Sequence, residues 1–148
     1  MKTKIAIALC LLGMQGFAQK INSKDVPAAV RSGLEKSLQV KDAKWDREGD
    51  SYEANFKKGG KEMSALLDAN GTLLETETEI AKGELPQAVQ DVLKKDYADF
   101  KLEEVAKITA KGVITYEVEV EKGETTFEMI FDHQGKLLKK EEEKEDRK

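Results

Sequence analysis

Met63-Ser-Ala-Leu-Leu-Asp-Ala-Asn-Gly-Thr-Leu-Leu-Glu75 returns later in the chain as Phe127-Glu-Met-Ile-Phe-Asp-His-Gln-Gly-Lys-Leu-Leu-Lys139. In both stretches an apolar residue at every second position gives way to Asp-x-x-Gly, and leucines follow. Alternation of period two marks a half-buried strand, which puts Met63, Ala65 and Leu67, and likewise Phe127, Met129 and Phe131, on the inner side. The Asp of each turn can bond the turn backbone, and the Gly can take positive φ. Each stretch is therefore strand, turn, strand. The repetition extends outward: Tyr52-Glu-Ala-Asn-Phe56 precedes the first copy as Tyr116-Glu-Val-Glu-Val120 precedes the second. Further upstream, Val26-Pro-Ala-Ala-Val30 is matched by Leu85-Pro-Gln-Ala-Val89. A pattern repeated in the same order specifies architecture before it specifies chemistry.

Each copy opens on a helix. Pro27 and Pro86 are tolerated in a first turn, where their missing N–H would have no intrahelical partner. Apolar residues then recur at Val26, Val30, Leu34 and Leu38, and at Leu85, Val89, Leu93 and Tyr97, a stripe narrow enough that each helix lies on a sheet with its back in water. Weaker strands are expected at 43–47 and 105–109, and a last strand at 72–80 and from 136 to about 142. The fold class is α+β: tandem α-β4 units forming one antiparallel eight-stranded sheet, helices on one face and the other face open. Joining the copies through the strand at 72–80 removes the two most exposed edges. The second copy carries an insertion around residues 100–111, so its first hairpin is expected to be longer. The expected divisions are 1–18, 19–83, 84–140 and a charged flexible tail at 141–148.

The N-terminus reads as a secretory signal peptide. Lys2 and Lys4 precede an apolar run from Ile5 to Leu12, and Gly16-Phe17-Ala18 offers a small-x-small cleavage site. The run is shorter than the ~20 residues that span a bilayer, and Cys10 follows Leu9 rather than the small residue a lipoprotein site needs. The expectation is export, to the periplasm or beyond the cell, after cleavage near Ala18, with no stable membrane anchor. About 130 residues remain, enough for a continuous core, and they contain no cysteine because the single Cys is Cys10. The formal charge of −4 becomes −6 without Lys2 and Lys4. That sign, with no basic stripe, argues against nucleic acid.

The pattern x-Pro-x-x-Val opening a helix, followed by strands and an Asp-x-x-Gly-x-Leu turn, resembles the PepSY-like family of exported bacterial proteins, whose fold is similar to that of the β-lactamase inhibitory protein. The resemblance covers nearly all of the processed chain, twice. It implies an exported binding or inhibitory module that presents a sheet to a partner protein. It carries over no inhibitory residue, and the inhibitor's disulfides have no counterpart in a chain whose only cysteine lies in the signal segment.

No catalytic constellation emerges. The one histidine, His133, sits in a turn whose first copy has Ala69 in its place, so the turn folds without it. One His and no Cys in the processed chain do not supply a zinc site. Asp68-Ala-Asn-Gly71 is similar to part of an EF-hand loop, but its Gly comes two positions early and no bidentate Glu follows at the right distance. Acid pairs such as Glu117 with Glu119, or Glu103 with Glu104, are expected without function in a chain that is 36% charged. No catalytic residue, metal ligand or cofactor is assigned. Candidate partner-binding residues are Glu53, Asn55, Leu66, Glu117, Glu119, Glu128 and Ile130 on the open face, with Ser64 beside them. Trp45 joins them as the only tryptophan, an anchor residue if it faces outward and core packing if it lies under the helix. The expected partner is another exported protein; the alternative is a carrier of small ligands or cations, with the acidic second half concentrating positive ions.

Overall fold

The computed structural model describes residues 18–143; the signal-peptide reading, apart from Ala18, and the last five residues lie outside them. The element order is β1 (Gln19–Ile21), a 3-10 turn (Ser23–Asp25), α1 (Ala28–Leu38), β2 (Lys44–Glu48), β3 (Ser51–Lys58), β4 (Lys61–Leu67) and β5 (Leu73–Glu79). There follow a second 3-10 turn (Lys82–Glu84), α2 (Gln87–Asp96), β6 (Lys101–Ala110), β7 (Val113–Lys122), β8 (Thr125–Phe131) and β9 (Leu137–Glu143). A 3-10 turn, a helix and four strands thus occur twice. All strands form one antiparallel sheet in chain order, β1 to β9, each paired with its sequence neighbour.

The sheet has nine strands, against an expected eight. The addition is β1, which pairs Ile21 with Trp45 and Gln19 with Arg47. It covers the edge that β2 would otherwise present to solvent. The junction of the two halves is β5 against β6, with Thr76 opposite Thr109 and Glu77 opposite Ile108. The expected longer hairpin is there, since β6 and β7 have 10 residues each where β2 and β3 have 5 and 8. At the other edge β9 runs into the charged stretch as far as Glu143, so residues 141–143 are strand. Its lysines and glutamates blunt an exposed edge.

Both helices lie on one face over separate apolar clusters. Val30 and Leu34 of α1 pack on Trp45, Ala54, Phe56, Ala65 and Leu67 of the sheet, and Val89 of α2 on Val105, Val118, Val120, Met129 and Phe131. Val26 and Leu85, each directly before its helix-opening proline, are buried in the same clusters. Tyr52 and Tyr116 are half-buried at the margins. Helix and turn dock closely. Gly71 has φ +85°, and a Cβ there would lie 2.2 Å from the Ala29 carbonyl oxygen; one on Gly33 would lie 2.0 Å from the Gly71 carbonyl oxygen. Gly135 faces Ala88 in the same way, a Cβ there falling 2.7 Å from its carbonyl oxygen. The turns themselves match: the Asp68 carboxylate accepts from the backbone N–H of Asn70 and Thr72, and that of Asp132 from Gln134 and Lys136, every bond 2.9 Å.

Candidate functional site: the acidic open face

The face away from the helices is set by the pairing register. One row across the sheet runs Lys44, Asn55, Ser64, Glu77, Ile108, Thr115. A second runs Asp46, Glu53, Leu66, Glu75, Ala110, Val113. The next rows hold Glu79, Ala106, Glu117, Ile130 and Lys139, then Glu104, Glu119, Glu128 and Glu141. Period-two alternation puts these side chains opposite the core. The structure thus brings together Glu53, Asn55, Ser64 and Leu66 from the first half with Glu117, Glu119, Glu128 and Ile130 from the second.

Trp45 is not among them. It pairs with Ala54 on the helix side and is 3% exposed inside the α1 cluster. The partner-anchor expectation for Trp45 is therefore corrected: an indole this large is held by the apolar pocket beneath α1, and its neighbours Lys44 and Asp46 take the open face. His133 is exposed in its turn.

Among the described residues no element packs on the open face, yet much of it is buried. Glu53 is 4% exposed, Glu77 5% and Glu117 8%, and Glu48, Glu128, Leu66 and Ile130 are buried as well. With no covering layer, this burial comes from the long side chains of adjacent strands crowding one another, which the natural twist of a sheet promotes. Charges far apart in the strand order feel each other across the hollow. Glu75 on β5 is raised by burial and then by Glu48 on β2, and Glu48 by burial and then by Asp46.

The consequence is a set of carboxyl groups that hold their protons. Burial, followed by repulsion from Glu48, pushes Glu53 up to about 8, against the opposing hydrogen bonds of Asn55 and Ser64. Glu77 is raised by burial and then by Glu53, Glu75, Glu104 and Glu128. Glu117 is raised by burial and then by Glu77, Glu128, Glu104 and Glu75. In each case desolvation dominates and like charge adds to it. The basic residues in these rows are Lys44 on β2 and Lys139 on the edge strand β9; Lys20 on β1 pairs with Asp46, and Lys57 near the end of β3 is already engaged by Glu62 at 2.8 Å. Buried Oε2 atoms of Glu77 and Glu117 have no hydrogen-bond partner among the described residues.

Chemically, the face offers protonated acids beside apolar patches. Among the described residues no group of three His, Cys, Asp or Glu is arranged to hold a metal ion, and no helix is long and apolar enough to cross a membrane. The open-face acids of β5 were not singled out from sequence, although their signal is plain in Leu74-Glu75-Thr76-Glu77-Thr78-Glu79, where acids alternate with threonines.

Two overlapping stretches, residues 15–75 and 50–139, match the family described as "Putative beta-lactamase-inhibitor-like, PepSY-like". The chain belongs to that PepSY-like family. Solved structures agree on the fold. A BLIP-like protein from Bacteroides fragilis is 26% identical, with a TM-score of 0.68 over 82% of this chain and 91% of that one. A DUF2874 family protein from Bacteroides uniformis is 20% identical, with a TM-score of 0.72 over 78% of this chain and 88% of the other. A structure from Bacteroides eggerthii described as "putative periplasmic proteins" is 17% identical, with a TM-score of 0.74 over 79% and 88%. No curated protein matches the chain. The PepSY-like assignment bears out the resemblance read from the helix start and the Asp-x-x-Gly turn.

Proposed function

We propose that the chain is an exported, non-catalytic binding module that engages another extracytoplasmic protein, as a binder or inhibitor, through the open face of its sheet. Glu53, Asn55, Leu66, Glu117, Glu119, Glu128 and Ile130 contribute to the contact. The observation that carries this reading is a hollow of buried glutamates on a face that no described element covers. Burying acids among acids costs stability, and such costs concentrate where a site is kept for function. The inhibitor-like description of the family supports the reading, and so does the putative periplasmic neighbour. The acidity also suits the second reading, a carrier that concentrates cations.

The test compares capture from the exported proteome by the parent protein and by a variant carrying Asn55→Arg and Glu119→Lys. A partner retained by the parent and lost by the variant, with melting temperature unchanged, is the expected result. Equal capture by both proteins would remove the open face from the interaction. Calcium titration by calorimetry separates the carrier reading, which requires heat of binding where the binding-module reading expects none.

A further inference from the structure

The floor of the hollow lies along β6. Of its open-face residues Ala106, Ile108 and Ala110 are small or apolar, with Glu104 beyond Ala106, while the strands on either side carry Glu77 and Glu79 on β5 and Glu117 on β7. Ala106 and Ile108 are each 3% exposed. Since no described element lies above them, the flanking glutamate side chains must cover them. Strands two apart in a sheet are separated by about 10 Å, so Glu77, paired with Ile108, and Glu117, paired with Ala106, stand diagonally on either side of β6, near enough that Glu77 raises the proton affinity of Glu117. Leu66 and Ile130, at equivalent positions of the two halves, border the trough on its far sides.

Resting on the binding-module reading, we infer that this trough seats a lysine or arginine side chain of a protein partner, its charged head between Glu77 and Glu117 and its methylene stem on Ala106 and Ile108. Charge complementarity supports the choice, because the four rows, followed from β2 to β9, hold glutamates from β3, β5, β6, β7 and β8 and their only lysines are Lys44 on β2 and Lys139 on β9. Glu77 and Glu117 each have a buried oxygen without a hydrogen-bond partner among the described residues; once these carboxyls ionise, a buried acceptor without a donor is costly, and a cationic donor from the partner removes that cost. The apolar floor favours a side chain over a bare ion: long cationic side chains lay their stems along apolar surface, whereas a metal ion gains nothing from it. A planar guanidinium can donate to two carboxylates at once.

The seat is closed by protons in the free protein. The raised affinity of Glu77 for protons arises from burial and then from Glu53, Glu75, Glu104 and Glu128, and that of Glu117 from burial and then from Glu77, Glu128, Glu104 and Glu75. Glu79 and, from the edge, Lys139 lie in the row of Glu117, Glu119 lies in the next row, and the helices lie on the opposite side. A cation entering between the two carboxyls favours their ionised forms. Binding therefore releases protons to solvent, and affinity rises from about pH 6 to pH 9.

Calorimetry of the exported, processed protein with acetylated hexaarginine amide at about 0.15 M salt tests this, with hexaglutamine as the neutral probe and buffers of different ionisation enthalpy. Expected are binding of hexaarginine alone, release of at least about one proton, and tighter binding at pH 8 than at pH 6. Glu77→Gln and Glu117→Gln should each weaken binding about tenfold or more, the effect of removing a charge-assisted hydrogen bond, while Glu141→Gln at the rim changes it less than about twofold. Melting curves at pH 6 confirm that each variant is folded. Binding without proton release, or equal binding by parent, Glu77→Gln and Glu117→Gln, overturns the proposal, as does displacement of the peptide by calcium at equal concentration. Should hexaarginine fail while a partner is captured by the parent and lost by the Asn55 and Glu119 variant, the cationic seat falls and the binding module stands.

Discussion

Glu53→Gln isolates the energetic cost of the acidic face. Glu53 is held on β3 between Asp46 and Leu66 in the register, and the usual carboxyl value of 4.5 is raised to about 8, chiefly by burial and then by Glu48. The folded state thus binds the Glu53 proton more tightly than the unfolded chain does. For a group raised in this way, the stabilising contribution is fully present below pH 4.5 and is lost as the pH climbs through 8. At about 1.4 kcal/mol per pH unit, the loss across that window is of order 3–5 kcal/mol. Gln has nearly the same shape and carries no proton to lose. The variant should therefore melt within about 1 kcal/mol of the parent at pH 4.5 and be more stable by several kcal/mol at pH 9. At a few degrees per kcal/mol for a chain of this size, the gap at pH 9 is on the order of 10 °C. Thermal unfolding by circular dichroism at half-unit pH steps measures it. If the difference between parent and variant is the same at pH 4.5 and pH 9, Glu53 is not buried as a neutral acid, and the account of the open face is wrong at its centre.

Gly33→Ala ordinarily favours a helix by about 1 kcal/mol, but the added Cβ would meet the Gly71 carbonyl oxygen at 2.0 Å; the variant should lose about 1–3 kcal/mol in urea unfolding, the usual cost of overpacking, and a gain would show that α1 does not dock on the turn. The β5–β6 pairing should make the two halves unfold together, so Trp45 fluorescence, which reports the α1 cluster, should coincide with far-UV circular dichroism across a urea titration; separated transitions would mean that the seam does not couple them. His133→Ala should leave stability within about 0.5 kcal/mol and partner capture unchanged, as for other exposed substitutions; loss of capture with the fold intact would return attention to the turn.

Much of the fold is legible because its signals are local. Alternation in 63–67 and 127–131 assigns the inner side of β4 and β8, the Asp-x-x-Gly pairs place both turns, and the prolines with their four-residue apolar stripe place both helices. β1 escaped because Gln19-Lys20-Ile21 is too short to show a period; what makes it a strand is the free edge of β2, more than twenty residues away. The phase of Trp45 escaped for a related reason. Lys44-Trp-Asp-Arg-Glu48 has only one apolar residue, so the pairing with Ala54 decides its side. The acids of β5 were visible as an alternation, but their importance lies in neighbours contributed by β3, β7 and β8.

The chain by itself determined the order of its elements, the positions of its turns and the side of most strands on which each residue stands, since these follow from backbone periodicity and the conformational limits of Pro, Gly and Asp over a few consecutive residues. Whether an outward glutamate is solvated or buried was decided only in three dimensions. The pairing register of the nine strands brings Glu53, Glu77 and Glu117, separated in sequence by whole elements, onto one face, where all three are buried and each raises the proton affinity of the next.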